Sequence, residues 1–458
     1  MVDLSHRSLS VLMLPWLAHG HILPYLELAK RLTRRNFHIY FCSTPVNLNS
    51  IKPKLFYANS SYFNSIQLVE LHLPSFPELP PHYHTTKGLP QHLMPLLGKA
   101  SNMSKPNITY IIETLKPDMV IFDYHVHNWL PRLAFSLNIH AISFITNGAA
   151  SITFVYHYMK NKDEEFPFSE LCTDDLKEKL AQMSLTSSSD HDPSEQHEEG
   201  EEIVELNRQS FGTVLVKSFR ELEGKYMDYL YASFGIKIIP VGPLVPDPND
   251  DDDDEGMNII YWLNKKEESS TVFVSFGSEC YLSKEDMEEM AHGLELSNVN
   301  FIWVVRFPEG EKVKLEDALP TGFSEKVREK GIVVESWAPQ IKILSHSSIG
   351  GFLSHCGWSS MMESIKFGVP IIAMPMQLDQ PWNARVVVSS GVGLEVKRSN
   401  NKGIERENVA KVIREVVVEK NGEDIRRKAK KMSDRLKRKV EEEILDEVEK
   451  ELLQICGM

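Results

Sequence analysis

At 458 residues the chain is too long for one compact domain and short for three, so two large lobes are admissible. Its composition, 42% hydrophobic and 25% charged with a mean hydropathy of −0.26, excludes collagen-like, low-complexity and wholly disordered classes. Lys and Arg number 50 against 64 Asp and Glu, and the net charge of −14 argues against nucleic acid or an anionic membrane as a bulk partner.

In chain order, the apolar run Leu9–Leu14 follows Arg7 but breaks at Pro15 with no small-residue cleavage site. It is read as a buried strand rather than a secretory leader. A helix over Leu23–Arg34 and a strand over Phe37–Ser43 follow. Leu73–Pro95, rich in Pro and His, is expected to be a long surface loop. Then come strand Met119–Phe122, helix Asn128–Leu137 and strand Ala141–Phe144. Near-continuous apolar strands spaced by helices predict a parallel sheet covered on both faces. Ser184–Glu202 is polar and acidic, as expected of a mobile insertion, and Pro243–Gly256, with the run Asp250–Asp254, reads as a self-repelling linker.

The alternation restarts with strand Thr271–Phe276. Ser283 and Asp286 form an [ST]-x-x-[DE] capping box, and Met287, Met290, Ala291 and Leu294 make one helical stripe. Strands Phe301–Val305, Ile332–Val334, Gly351–Ser354 and Ile371–Met374 follow. A charged helix over Met432–Ile455, with mixed signs at i,i+3/i+4, is expected to present a solvated face. The organisation predicted is a lobe over 1–242, a linker over 243–256, a lobe over 257–435, and a terminal helix over 436–458 returning to the first lobe. Five scattered cysteines without CxxC fit a cytoplasmic protein with reduced thiols. No apolar stretch reaches the about 18 residues needed to span a membrane.

The most informative stretch runs from Trp337 to Gln380: WAPQIKILSHSSIGGFLSHCGWSSMMESIKFGVPIIAMPMQLDQ. A strand ends at Ser354, a turn His355-Cys356-Gly357-Trp358 follows, and Ser359-Ser360 opens a helix. Such a strand–turn–helix offers backbone N–H groups and a positive dipole end to a phosphate. His355 adds a donor, Ser360 a hydroxyl, Glu363 an acceptor suited to ribose, Trp337 a flat face for a base, and Asp379-Gln380 hydrogen bonds for a sugar.

This stretch resembles the signature box of the plant family 1 UDP-sugar-dependent glycosyltransferases, and the resemblance extends over nearly the whole chain. It implies a GT-B fold: two Rossmann-like, doubly wound α/β lobes facing across a cleft, with the donor on the C-terminal lobe and the acceptor on the N-terminal one. It further implies that Trp337 stacks on uracil, Gln340 and Glu363 hold the ribose, His355 and Ser360 bind the diphosphate, and Asp379 and Gln380 hold the sugar. Ser278, in VSFGS, is similar to the family's additional phosphate contact, and Ala338, Gly357, Trp358 and Ser359 complete the donor set. Ser359 departs from the usual Asn, being shorter with one donor. It is still able to cap the helix and to donate to a phosphate oxygen.

An acceptor hydroxyl needs a base. His21 lies where the first strand gives way to a helix, and Asp123 follows strand Met119–Phe122, so both sit at the carboxyl ends of parallel strands, where such sheets place their sites. A carboxylate there fixes the imidazole tautomer and stabilises its cation. GH-x-x-P and D-x-x-x-x-W resemble the family's catalytic dyad. His19, Phe144, Thr146, Tyr156 and the 73–95 loop are candidate acceptor-pocket walls. His125 and His127 could be mistaken for metal ligands, and Asp190-His191-Asp192 and Asp250–Asp254 match a DxD pattern. The two DxD patterns lie in acidic segments with no strand–helix context, and no metal and no cofactor beyond the UDP-glucose co-substrate is expected. The chemistry expected is single-displacement transfer giving a β-glucoside. FHIYFCSTPVNL, SIQLVELHLPSFPELPPHYHTT and EEEILDEVEKELLQIC are similar to the branch-forming subgroup, which adds sugar to a triterpenoid, flavonoid or related glycoside. The partners expected are a UDP-sugar and a small glycoside, bound by a monomer. The alternatives are glucosylation of an aglycone and a catalytically silent UDP-sugar-binding protein.

Overall fold

The computed structural model describes residues 8–56, 64–161, 164–173, 176–177, 212–248, 256–307, 313–335, 337–398, 403–436 and 438–458. The insertion at 184–202 and the run 250–254, with both DxD patterns, lie outside them. The chain divides into two units, Met1–Leu244 with Arg438–Met458, and Val245–Lys437.

Seven strands build the sheet of the first unit: β1 (Ser10–Leu14), β2 (His38–Ser43), β3 (Ile66–Glu70), β4 (Met119–Phe122), β5 (His140–Ile145), β6 (Thr213–Val216) and β7 (Lys237–Pro240). Their order is β3-β2-β1-β4-β5-β6-β7 and every pairing is parallel. The order reverses between β1 and β4, which makes that pair the switch point where doubly wound sheets open a crevice. Leu14 stands in register with Phe122, and the Asp123 N–H donates to the Leu14 carbonyl at 3.1 Å. The segments after β1 and β4 therefore leave the sheet side by side. Helix His19–Thr33 covers one face, burying Ile22, Tyr25, Leu26 and Ala29 against Val11, Met13 and Ile121. Each fully buried aliphatic side chain there contributes about 1.5–3 kcal/mol.

The terminal helix corrects one expectation. Instead of one solvated helix there are two, Glu423–Arg435 in the second unit and Arg438–Ile455 in the first. The latter buries Leu445, Val448 and Leu452, spaced to share one face, and the last two join the core of the first unit. Arg35 holds its flank through Glu442 at 2.7 Å and Asp446 at 2.6 Å. The charge pattern was visible, but the narrow apolar stripe it flanks decides where the helix packs. The 73–95 segment carries two short 3₁₀ turns, and its middle, Leu79 and His84–Thr86, is buried rather than on the surface.

In the second unit β8 (Thr271–Ser275), β9 (Asn300–Val305), β10 (Gly331–Glu335), β11 (Ile349–Ser354), β12 (Ile371–Ala373) and β13 (Gly393–Glu395) form a parallel sheet in the order β10-β9-β8-β11-β12-β13. Here the switch point lies between β8 and β11, with Ser275 in register with Ser354. Across it Phe273 and Phe352 stack with centroids 5.1 Å apart, worth about 0.5–1.5 kcal/mol beyond their burial. Ser283 is the N-cap expected, its Oγ accepting from the Asp286 N–H at 3.1 Å, and the Met287, Met290, Ala291 and Leu294 stripe is buried. Among the described residues no helix is long and apolar enough to cross a membrane.

Candidate active site

The first unit gathers its polar groups at the β1/β4 switch point. His21 is in the first turn of helix His19–Thr33, which starts four residues before the apolar periodicity predicts because its opening His19-Gly20-His21 carries no apolar residue. Its Nδ1 lies 2.7 Å from Asp123 Oδ2. A lone pair facing a carboxylate at that distance would be repelled, so Nδ1 carries the proton and Nε2 is left with its lone pair. The buried Asp123 is held by backbone donors as well: the Trp16 N–H reaches Oδ2 at 3.1 Å and the Tyr124 N–H reaches Oδ1 at 2.8 Å. Burial works to raise the Asp123 carboxyl, but the charge and hydrogen bond of His21, helped by the Trp16 N–H, outweigh it and hold the group below its ordinary value. Asp123 thus stays a carboxylate.

Two neighbouring histidines are held neutral by burial. Burial first, then Lys87 and Lys54, lowers His19 from 6.5 to about 4, and its Nε2 lies 3.3 Å from Ser50 Oγ. Burial likewise lowers His125 to about 4, its ring set 5.3 Å from the Trp16 ring. His127 Nδ1 contacts the Tyr124 carbonyl. Among the described residues no group of three His, Cys, Asp or Glu side chains is placed to hold a metal.

The suggested pocket walls divide. Thr146, at the end of β5, has its Oγ1 3.1 Å from His21 Nδ1, so it touches the dyad itself. Phe144 is fully buried against Tyr25, centroids 4.7 Å apart, and Tyr156 is buried edge-on to Phe234. Both are core residues rather than pocket walls. Phe144 lies within β5 and packs beneath helix His19–Thr33, while Thr146 lies one residue past the strand end.

In the second unit, the loops after β8 and β11 converge on His355. A Cβ on Gly357 would lie 2.5 Å from its Nε2, and one on Gly277, whose φ is +77°, would lie 2.8 Å away. Only hydrogen atoms fit where these glycines clasp the ring. Burial lowers His355 from 6.5 to about 4 against a backbone hydrogen bond with Ser275, so the ring is neutral. Ser278 is exposed beyond Gly277. Helix Trp358–Phe367 has Gly357 as its N-cap, with no capping side chain. Ser359 therefore does not cap it as expected, because it sits one residue inside the first turn. Trp358 is 4% exposed and Ala338 is buried, so these two offer a ligand their backbone only.

Gln340 Nε2 donates to Glu363 Oε2 at 2.6 Å and to Ser360 Oγ at 3.1 Å, tying three expected donor residues into one network. Trp337, after β10, is 39% exposed, as a stacking platform must be. Gln380 is buried, with Oε1 accepting from the Met376 and Gln377 N–H groups at 2.9 Å each. That fixes the amide orientation and leaves Nε2 as its donor. Sequence reasoning missed Gly277 and Asn383. The positive-φ turn gave no signal in VSFGS, and Asn383 showed only as a polar residue four after Asp379.

His19, His125 and His355 set an acid limit. Between pH about 4 and 6.5 the unfolded chain takes up protons that the folded chain excludes, so unfolding free energy falls as pH drops through that window. The expected fall is on the order of 2 kcal/mol for a group as buried as His355. Denaturant unfolding of His355→Gln should show a flatter pH slope in that window than the wild type; an identical slope would refute the assignment.

Residues 241–435 match the family described as UDP-glucoronosyl and UDP-glucosyl transferase, and residues 7–246 match the glycosyltransferase N-terminal domain. The chain is 54% identical over 430 residues to a mogroside IIIx synthase of Siraitia grosvenorii, covering 93% of this chain and 89% of that one. It is 50% identical over 418 residues to the beta-D-glucosyl crocetin beta-1,6-glucosyltransferase of Gardenia jasminoides, covering 91% and 92%. A solved Glycyrrhiza uralensis protein complexed with glycyrrhetinic acid 3-O-monoglucuronide matches with a TM-score of 0.82 at 24% identity, covering 98% of this chain and 96% of that one. The fold is GT-B, built from two Rossmann-like sheets. This chain belongs to the UDP-glycosyltransferase family, and it is an enzyme that transfers a sugar from a UDP-sugar.

Proposed function

We propose that this enzyme transfers glucose from UDP-glucose, with inversion and without a metal, to a hydroxyl of the sugar already carried by a triterpenoid, flavonoid or related glycoside. The observation that carries the chemistry is the His21–Asp123 pair at 2.7 Å with Nε2 left as the base. Nε2 takes the proton of the acceptor hydroxyl as its oxygen bonds to C1 of UDP-α-glucose, and the C1–O bond to UDP breaks on the opposite face. Asp123 stabilises the imidazolium formed. The charge on departing UDP is met by the N-terminus of helix Trp358–Phe367 and by neutral His355. The Siraitia and Gardenia relatives, named for making a mogroside and for acting on a glucosyl crocetin, support a glycoside acceptor.

The test is UDP release from UDP-glucose with a panel of triterpenoid and flavonoid glycosides and their aglycones. Release with glycosides alone supports the proposal. Release with aglycones favours direct glucosylation, and no release with any acceptor favours the silent binder. A second prediction concerns Ser359: Ser359→Asn adds reach and a donor at the phosphate end of the helix, so its Kd for UDP-glucose is expected to fall about threefold. An unchanged or weaker Kd by calorimetry would sink that expectation.

A further inference from the structure

Between the diphosphate turn and the sugar-binding residues stands a side chain outside the signature stretch. Asn383, in the first turn of helix Gln380–Ser390, has no solvent exposure. Its Nδ2 donates to the Cys356 carbonyl at 3.0 Å and to Asp379 Oδ2 at 2.9 Å. Both amide hydrogens are thereby used. Its Oδ1 is buried with no hydrogen-bond partner among the described residues, so the amide cannot be flipped: the reverse orientation would set an oxygen against a carbonyl and a carboxylate. A buried acceptor left unpaired lowers stability, and such a residue persists where its other contacts have a use.

Both ends of this bridge are held in backbone conformations that L-residues seldom adopt. Cys356, between His355 and Gly357, has φ +66°, and Leu378, just before Asp379, has φ +52°. The Ser354 Oγ accepts the Cys356 N–H at 3.1 Å, so the turn is pinned at its N–H by β11 and at its carbonyl by Asn383. One amide therefore sets the position of the turn and the plane of the Asp379 carboxylate together.

We propose that Asn383 is a positioning residue that fixes the spacing between the diphosphate subsite and the Asp379 carboxylate, and so determines which UDP-sugar the enzyme prefers. This rests on the reading of Asp379 as a sugar contact. The turn keeps its own support from Ser354, so loss of Asn383 acts on the sugar rather than on UDP. A residue that merely held the fold would weaken both together.

The experiment measures Kd by calorimetry for UDP, UDP-glucose and UDP-galactose with the wild type, Asn383→Leu, Asp379→Ala and the double variant. Asn383→Leu keeps the branching of the side chain and removes both donors. Expected are a Kd for UDP within about twofold of wild type and a loss of about tenfold in discrimination between UDP-glucose and UDP-galactose, the worth of a hydrogen bond to a charged group. The double variant should discriminate no worse than Asp379→Ala alone, because the two act as one unit. If Asp379→Ala abolishes discrimination and Asn383→Leu does not, the proposal is overturned. A parallel loss of UDP affinity and of Tm also overturns it. If Asp379→Ala leaves discrimination intact, the reading of Asp379 falls and the proposal with it. Should Asn383→Leu fail to fold, Asn383→Ser, which keeps one donor, is measured in the same way, with about a threefold loss expected and no loss overturning the proposal.

Discussion

His21→Ala is expected to lower kcat by about 10²- to 10⁴-fold while leaving the Kd for UDP-glucose nearly unchanged. The proposed base acts only as the proton moves, and the proposed donor residues lie in the other unit of the chain. Asp123→Asn should cost about as much by another route. The amide replacing the carboxylate would present either an N–H against the Nδ1–H or an oxygen deprived of charge. The Trp16 N–H, which ends on the same oxygen as His21, favours the oxygen there, while the Tyr124 N–H on the other oxygen opposes it. The imidazole would then lose the partner that stabilises its cation, an effect of about 10⁴-fold in the serine-protease example of the same His–Asp pair. The two losses should not add, since both remove one device. Single-turnover rates with a glycoside acceptor provide the measurement; full activity in His21→Ala would falsify the base assignment.

The second large effect is expected on the donor side. Gly277→Ala sets a methyl group 2.8 Å from the His355 ring on a backbone with φ +77°. The left-handed conformation alone costs about 1–2 kcal/mol for a residue with a Cβ. The ring must also move, which on the proposed reading displaces it from the diphosphate. A lower Tm together with an at least tenfold weaker UDP affinity is therefore expected. Gly357→Ala, at φ −58°, separates the two causes: it crowds the same ring at 2.5 Å without the backbone strain. Weakened UDP binding in both variants, with a lower Tm chiefly in Gly277→Ala, is the pattern that calorimetry and thermal unfolding should return. Wild-type UDP affinity in Gly357→Ala would show that His355 does not hold the diphosphate.

Much of the architecture was legible in local pattern. β4 falls on the predicted Met119–Phe122, and the Ser283 cap with its Met-rich stripe is where spacing put it, because burial and capping at these positions depend on neighbours a few residues away. β3, β6 and β7 escaped notice. Ile66–Glu70 mixes polar residues into an edge strand, Thr213–Val216 and Lys237–Pro240 are four residues each, and Lys237–Pro240 begins on a lysine and ends on a proline.

The candidate site was legible as a set of residue types, and the sequence by itself determined three things about it: the strand–turn–helix at His355–Gly357, the paired Asp379-Gln380, and the placing of His21 and Asp123 at strand ends. Each follows from chemistry written within a few residues. Tertiary structure alone decided the rest. The register of Leu14 with Phe122 brings together two side chains 102 positions apart. Parallel neighbours are joined only through the long crossovers between them, and nothing local records which strands will meet. Burial, equally non-local, sent Phe144 to the core and Thr146 to the dyad, gave Gly277 its contact with an imidazole from another strand, and left Asn383 bridging two loops.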